Sequence, residues 1–155
     1  MKVAYLTWHD PRDVRHWSGT HAFMFEALES RMELTAIGPF HTPAYYRALE
    51  LLLNAWHAGP ARRQPHKYRL GYSLFAARVY SGVARRRIAA SGCDLVFAPT
   101  AAREAVFACG KRPLVYLNDA IFPQVAATYV RFSNHARLTY WEAEEVERRL
   151  SLIHI

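Results

Sequence analysis

Four short apolar runs, spread along the chain and separated by stretches of helical character, constrain the fold more than any other feature. They are V-A-Y-L within Lys2–Trp8, Leu34–Ile37, D-L-V-F-A-P over Asp94–Pro99, and P-L-V-Y-L over Pro113–Leu117. None alternates apolar and polar residues as a strand with one wet face does. A run that is apolar at consecutive positions needs cover on both faces, and a parallel sheet between helices provides it.

The intervening segments supply the helices. Ser18 or Thr20 is placed to cap a helix reaching about Arg31, with Phe23, Met24, Ala27 and Leu28 at three-to-four spacing. Pro43 opens a second helix to His57, ended by Gly59-Pro60. A basic connector, Arg62–Leu70, leads to a long helix from about Tyr72 to Ala90, with Gly92 as its C-cap. Ala101–Cys109 reads as a short helix capped by Thr100, and Asn134–Leu150 as the last one. The order β-α-β-α-α-β-α-β-α, joined by right-handed crossovers, predicts a single α/β domain over residues 1–150. The expected architecture is a Rossmann-like, doubly wound parallel sheet. Such sheets bind ligands outside the carboxyl ends of their strands, which selects the loops 9–20, 99–103 and 118–123.

Composition limits the classes open to the chain. Of 155 residues, 52% are apolar, enough for one real core. No apolar run approaches the roughly 20 residues of a membrane span. The N-terminus lacks the pattern of a secretory signal, so a cytoplasmic location is expected. The net charge is +7. Arg62, Arg63, His66, Lys67, Arg69, Arg78, Arg85, Arg86 and Arg87 crowd the middle third, while Glu142, Glu144, Glu145 and Glu147 gather near the end. The basic cluster reads either as a solvated face or as a peripheral contact with anionic lipid at the inner membrane face. Nucleic acid is not expected as a partner, because basic and aromatic residues are not interleaved as in single-strand platforms. Cys93 and Cys109 form no Cys-x-x-Cys pair and read as buried apolar residues. The eight histidines show no metal-ligand spacing, so no metal is expected. Neither G-x-G-x-x-G nor the Walker sequence is present.

Three constellations remain. R-H-W-S-G-T, residues 15–20, sets Ser18, Gly19 and Thr20 at a helix start, where free N–H groups favour an anion such as phosphate. A plain Ser/Thr cap with a glycine turn explains the same letters. Arg12 and Arg15 in that loop are candidate substrate-binding cations. Asn118 and Asp119 leave the end of the last strand. Asp119 suits a sugar hydroxyl or a general base, and the pair suits an Asx turn or helix cap equally well. The loop P-T-A-A-R, residues 99–103, is the weakest of the three. Tyr140 and Trp141 read as packing residues.

The strand K-V-A-Y-L-T-W, the loop W-S-G-T, the strand D-L-V-F-A-P, the segment L-V-Y-L-N-D-A-I-F, and the late F-S-N-H-A and W-E-A-E-E-V-E-R-R-L occur in one order over residues 1–150. Together they resemble the N-terminal half of a GT-B, family 4 (glycosyl group 1) retaining glycosyltransferase. The resemblance implies an acceptor-side domain facing a second, donor-binding domain. Ser18, Gly19 and Thr20 would meet the nucleotide-sugar phosphates, and Asp119 the transferred sugar. The acceptor would be a glycan, lipid or small molecule, and no metal would be needed. Relatives carry a donor-binding C-terminal domain with a glutamate pair, which this sequence lacks. The tail S-L-I-H-I, 151–155, is expected to be truncated or non-native, and the chain to be inactive alone. The alternative is a stand-alone Rossmann-like module for a phosphorylated ligand or a protein partner.

Overall fold

Val3–Leu6 lies at the centre of a parallel sheet and is buried along its whole length. The computed structural model describes residues 1–58, 66–130 and 134–151. Its strands are β1 (Lys2–Leu6), β2 (Glu33–Ile37), β3 (Leu95–Pro99) and β4 (Leu114–Leu117). All neighbours pair parallel in the order β2-β1-β3-β4. The helices are α1 (Thr20–Glu29), α2 (Tyr45–Ala58), α3 (Leu74–Ser91), α4 (Ala102–Ala105), α5 (Phe122–Thr128) and α6 (Arg137–Ser151). The chain is thus α/β, a four-stranded parallel sheet flanked by helices, compatible with a Rossmann-like fold.

Alternation along each strand sorts the core into two faces. Ala4 and Leu6, with Val96, Ala98 and Leu114, join Ala76, Ala77, Tyr80, Ala84 and Ile88 of α3 in the main cluster. Alanine at three inward positions of α3 lets that helix approach the sheet closely. Tyr5 points to the other face, where its ring meets Phe25 of α1 at 5.1 Å and Phe97 at 5.4 Å. Val115 lies in register beside Phe97 but is 46% exposed, so this face of β4 is largely uncovered.

Several local expectations need correction. Neither Ser18 nor Thr20 caps α1; a single 3₁₀ turn, Trp17–Gly19, precedes it and Gly19 stands at the N-cap with no side-chain bond. Thr100 does not cap α4, whose N-cap is Ala101 and which is one turn long. α3 starts at Leu74 because Ser73 caps it, accepting from the Ala76 N–H at 3.0 Å. Helix α5 was not expected. Trp141 is exposed, whereas Tyr140 packs on Phe122. Gly92 does end α3 in the left-handed region, and both cysteines are buried with free thiols. Gly59-Pro60, Arg62, Arg63, Phe132 and Ser133, and residues 152–155 of the tail lie outside the described residues; Ser151 continues α6.

Much of the basic cluster is engaged within the chain. Arg87 donates to the Pro39 carbonyl and lies over Phe40, Arg85 donates to the Phe107 carbonyl, and Arg69 pairs with Glu50.

Candidate functional site

The carboxyl ends of β1, β3 and β4 open onto a cleft of about 770 Å³, within the usual range of about 300–1,000 Å³ for ligand pockets. The chain leaves β1 toward β2 on one side and leaves β3 toward β4 on the other. The cleft therefore lies at the point where the winding direction reverses, the place where open parallel sheets bind ligands. Its walls come from the loop after β1 (Trp8, His9, His16, Trp17), from Thr100 and Arg103 after β3, and from Asn118 and Asp119 after β4.

Asn118 and Asp119 line the cleft as their place after β4 suggested. They do different work. The Asn118 amide is used locally, donating to the Ala120 carbonyl at 2.7 Å and accepting from the Asp119 N–H at 3.1 Å. Asp119 is exposed, and its Oδ2 accepts from the Trp17 indole at 3.2 Å.

Ser18, Gly19 and Thr20 do not line the cleft; their neighbours Trp17 and His21 do. The Gly19 N–H is bonded to the His16 carbonyl and the Thr20 N–H to the Trp17 carbonyl. Gly19 is needed by packing: its φ is +80°, and a Cβ there would sit 3.1 Å from the Phe23 ring and 3.5 Å from the Val14 carbonyl. Arg12 and Arg15 are outside the cleft lining as well. Arg12 pairs with Glu29 at 2.8 Å and lies over the Phe25 ring, while Arg15 forks onto Asp13.

The cleft also holds groups to which the sequence assigned no role. Glu104 is buried and takes Arg103 at 2.8 Å. The same guanidinium donates to the Gly71 carbonyl and lies 4.2 Å from the Trp8 ring centre and 4.5 Å from that of Tyr80. His21 is buried between the Tyr5 hydroxyl and Thr100, its Nε2 3.1 Å from the Thr100 Oγ1. Burial holds its pKa below the ordinary value, as it does for His9, which stacks on His16 at 3.5 Å. Glu147 reaches the cleft from α6. Burial raises its pKa, and the Phe122 N–H and Tyr116 hydroxyl beside it act the other way. The Tyr116 hydroxyl is itself buried without a hydrogen bond of good geometry. Inward-facing acids on an amphipathic helix signal Glu147 only weakly, and Glu104 is marked only by its place directly after the loop 99–103.

Fold and cleft together define a parallel α/β protein with a ligand-sized site at its strand ends. Compared with family models, with curated proteins and with solved structures, the chain finds no match. Among the described residues no group of three or more His, Cys, Asp or Glu is placed to hold a metal ion.

Proposed function

We propose that the chain is the acceptor-side N-terminal half of a nucleotide-sugar-dependent, retaining glycosyltransferase of the GT-B type. The observation that carries this is the position of the cleft. It lies between the loops after β1 and after β4 that the sequence resemblance marks as substrate-facing, with Trp17, Asn118 and Asp119 in its lining and Ser18, Gly19 and Thr20 outside it. In this reading the cleft seats an acceptor, and the exposed Asp119 carboxylate accepts a hydroxyl of the transferred sugar at its mouth. The positive character that develops on the sugar ring in a retaining transfer favours a nearby carboxylate. The donor diphosphate would be held mostly by a second domain, and this half alone would not turn over.

The test is a transfer assay. The complete reading frame downstream of codon 150 is expressed and its product offered nucleotide-sugars with glycan, lipid and small-molecule acceptors, read by mass spectrometry. Glycosylated product that disappears in Asp119→Ala supports the reading. A frame ending at codon 155, with no transfer in any mixture, overturns it in favour of a stand-alone binding module.

Peripheral contact with anionic membrane belongs to the same proposal. It is supported by α2, whose outer face exposes Leu51, Leu52 and Trp56, the last at 82%, beside Arg47. Apolar side chains flanked by a cation match the boundary between acyl chains and anionic headgroups. Co-sedimentation with phosphatidylglycerol vesicles is expected for the wild type, and its loss in Leu52→Glu/Trp56→Glu. No helix among the described residues is long and apolar enough to cross a membrane.

A further inference from the structure

The loop before α1 holds three consecutive residues in the left-handed region: Trp17 at φ 47°, Ser18 at 53° and Gly19 at 80°. Only glycine adopts such angles freely, so Trp17 and Ser18 are held there at a cost. The segment is fixed at two points. The Gly19 N–H is bonded to the His16 carbonyl, and the Trp17 indole N–H is bonded to Asp119 across the cleft, 102 residues away in sequence. No helix cap results, since α1 begins without a side-chain cap bond. What the strained turn does achieve is to bring the Trp17 ring system to the cleft wall, with His21 meeting it at 4.9 Å.

Among the described residues, three carboxylates line the cleft, Glu104, Asp119 and Glu147, against one guanidinium and the imidazoles of His9, His16 and His21. That guanidinium, Arg103, is consumed by Glu104, the Gly71 carbonyl and two aromatic faces. Arg12 and Arg15 are committed to Glu29 and Asp13. Among the described residues that line the cleft, an anionic ligand finds the Asp119 and Glu147 carboxylates and no lysine or arginine without an acidic partner. A neutral ring with hydroxyl donors finds carboxylate acceptors and an aromatic plate, the two elements that grip a sugar: C–H faces on the aromatic ring and O–H groups on the acids.

We infer that Trp17, pinned by Asp119, is the stacking platform of a saccharide subsite that takes a neutral, hydroxyl-rich ring and disfavours a phosphorylated one. This rests on reading the cleft as the acceptor site, and it narrows the acceptor to an unphosphorylated sugar. Trp17 supplies the apolar plate. Asp119 orients it through Oδ2 and leaves its other oxygen to the transferred sugar at the cleft mouth.

The experiment is a tryptophan-fluorescence and ligand-observed NMR titration of the full chain. The probes are the methyl glycosides of glucose, galactose, mannose and N-acetylglucosamine, with glucose phosphate as the anionic counterpart. At least one neutral glycoside is expected to bind at millimolar concentration, with glucose phosphate at least about tenfold weaker than methyl glucoside. Trp17→Gly is expected to lose about tenfold or more in affinity, on the scale of one lost aromatic contact. Its melting temperature should hold, because glycine relieves the positive φ. Trp17→Phe, which keeps a ring without the N–H, should fall between, and it serves if the glycine variant does not fold. Asp119→Asn, which still accepts from the indole, should lose less than Asp119→Ala. Unchanged affinity in Trp17→Gly and Trp17→Phe, preference for glucose phosphate, or no neutral glycoside bound at tens of millimolar would each overturn the inference. Trp17-dependent sugar binding without transfer by the complete gene product would instead sink the glycosyltransferase reading alone. Transfer only to phosphorylated acceptors would sink this inference alone.

Discussion

Gly38 shows how one residue shapes the cleft end of the sheet. It ends β2 beside the point where β1 runs out, and a Cβ there would lie 2.5 Å from the Thr7 carbonyl oxygen and 3.0 Å from that of His9. Both obstacles are backbone, so neither can rotate away. Gly38→Ala is expected to cost about 1–3 kcal/mol by overpacking, lowering the melting temperature by roughly 3–10 °C in a differential scanning measurement. A melting temperature equal to wild type would show that the β1 loop moves freely. The Gly-Pro pair was legible in sequence as the end of a strand. The close approach that makes the glycine necessary was not, because Thr7 and His9 come near only when β1 and β2 pair.

At the scale of elements, the start of α3 depends on side chains from elsewhere in the chain. Ser73 caps the helix locally. Glu142 of α6 then accepts from the Leu74 N–H at 3.1 Å and from the Tyr68 hydroxyl at 2.7 Å. Its negative charge also sits at the positive end of the α3 dipole. Glu50 and Asn54 of α2 fasten the preceding segment through the Leu70 N–H and the Tyr68 backbone. Glu142→Ala removes the acceptor that the Tyr68 hydroxyl and the Leu74 N–H share, and is expected to cost about 2–4 kcal/mol, seen as a lower urea midpoint with unchanged slope. An unchanged midpoint would mean that water replaces the carboxylate. From sequence, Glu142 is one of four acids gathered near the end of the chain; its partners lie 68 and 74 residues away, beyond any local pattern. Helix α5 escaped for a similar reason. F-P-Q-V-A-A-T is short, with Pro123 in its first turn, and it is held by Phe122 packing against Tyr72, His135 and Tyr140 rather than by its own periodicity.

For the whole molecule, pH should act mainly through histidine. Burial lowers the pKa of His9, His21 and His135. His135 is enclosed by Phe122, Tyr72 and Tyr140, and both its ring nitrogens are buried without a partner. Arg69 acts in the same direction on it and Glu50 against. With folded pKa values below the unfolded 6.5, the unfolded chain takes protons that the folded chain refuses. Stability is therefore full above pH 6.5 and falls as the pH drops below it. Glu147 has the opposite sign: its raised pKa costs stability once the pH climbs above 4.5. Melting temperatures should decline from pH 7 to 5.5, and His135→Phe should flatten that decline. An equal slope in the variant would place the acid sensitivity at His9 and His21. What the sequence by itself determined was the class of fold: consecutive apolar residues demand two-sided cover, and Gly38-Pro39 and Gly92 mark where a strand and a helix stop. It also located the strand ends where Asn118 and Asp119 emerge, since a side chain just past a parallel strand has one place to go. Only the tertiary structure decided that Trp17 rather than Ser18, Gly19 and Thr20 lines the cleft, and that Glu104 and Glu147 join it. Those facts depend on which backbone N–H groups are already bonded and on contacts between residues far apart in the chain, and a local pattern carries neither.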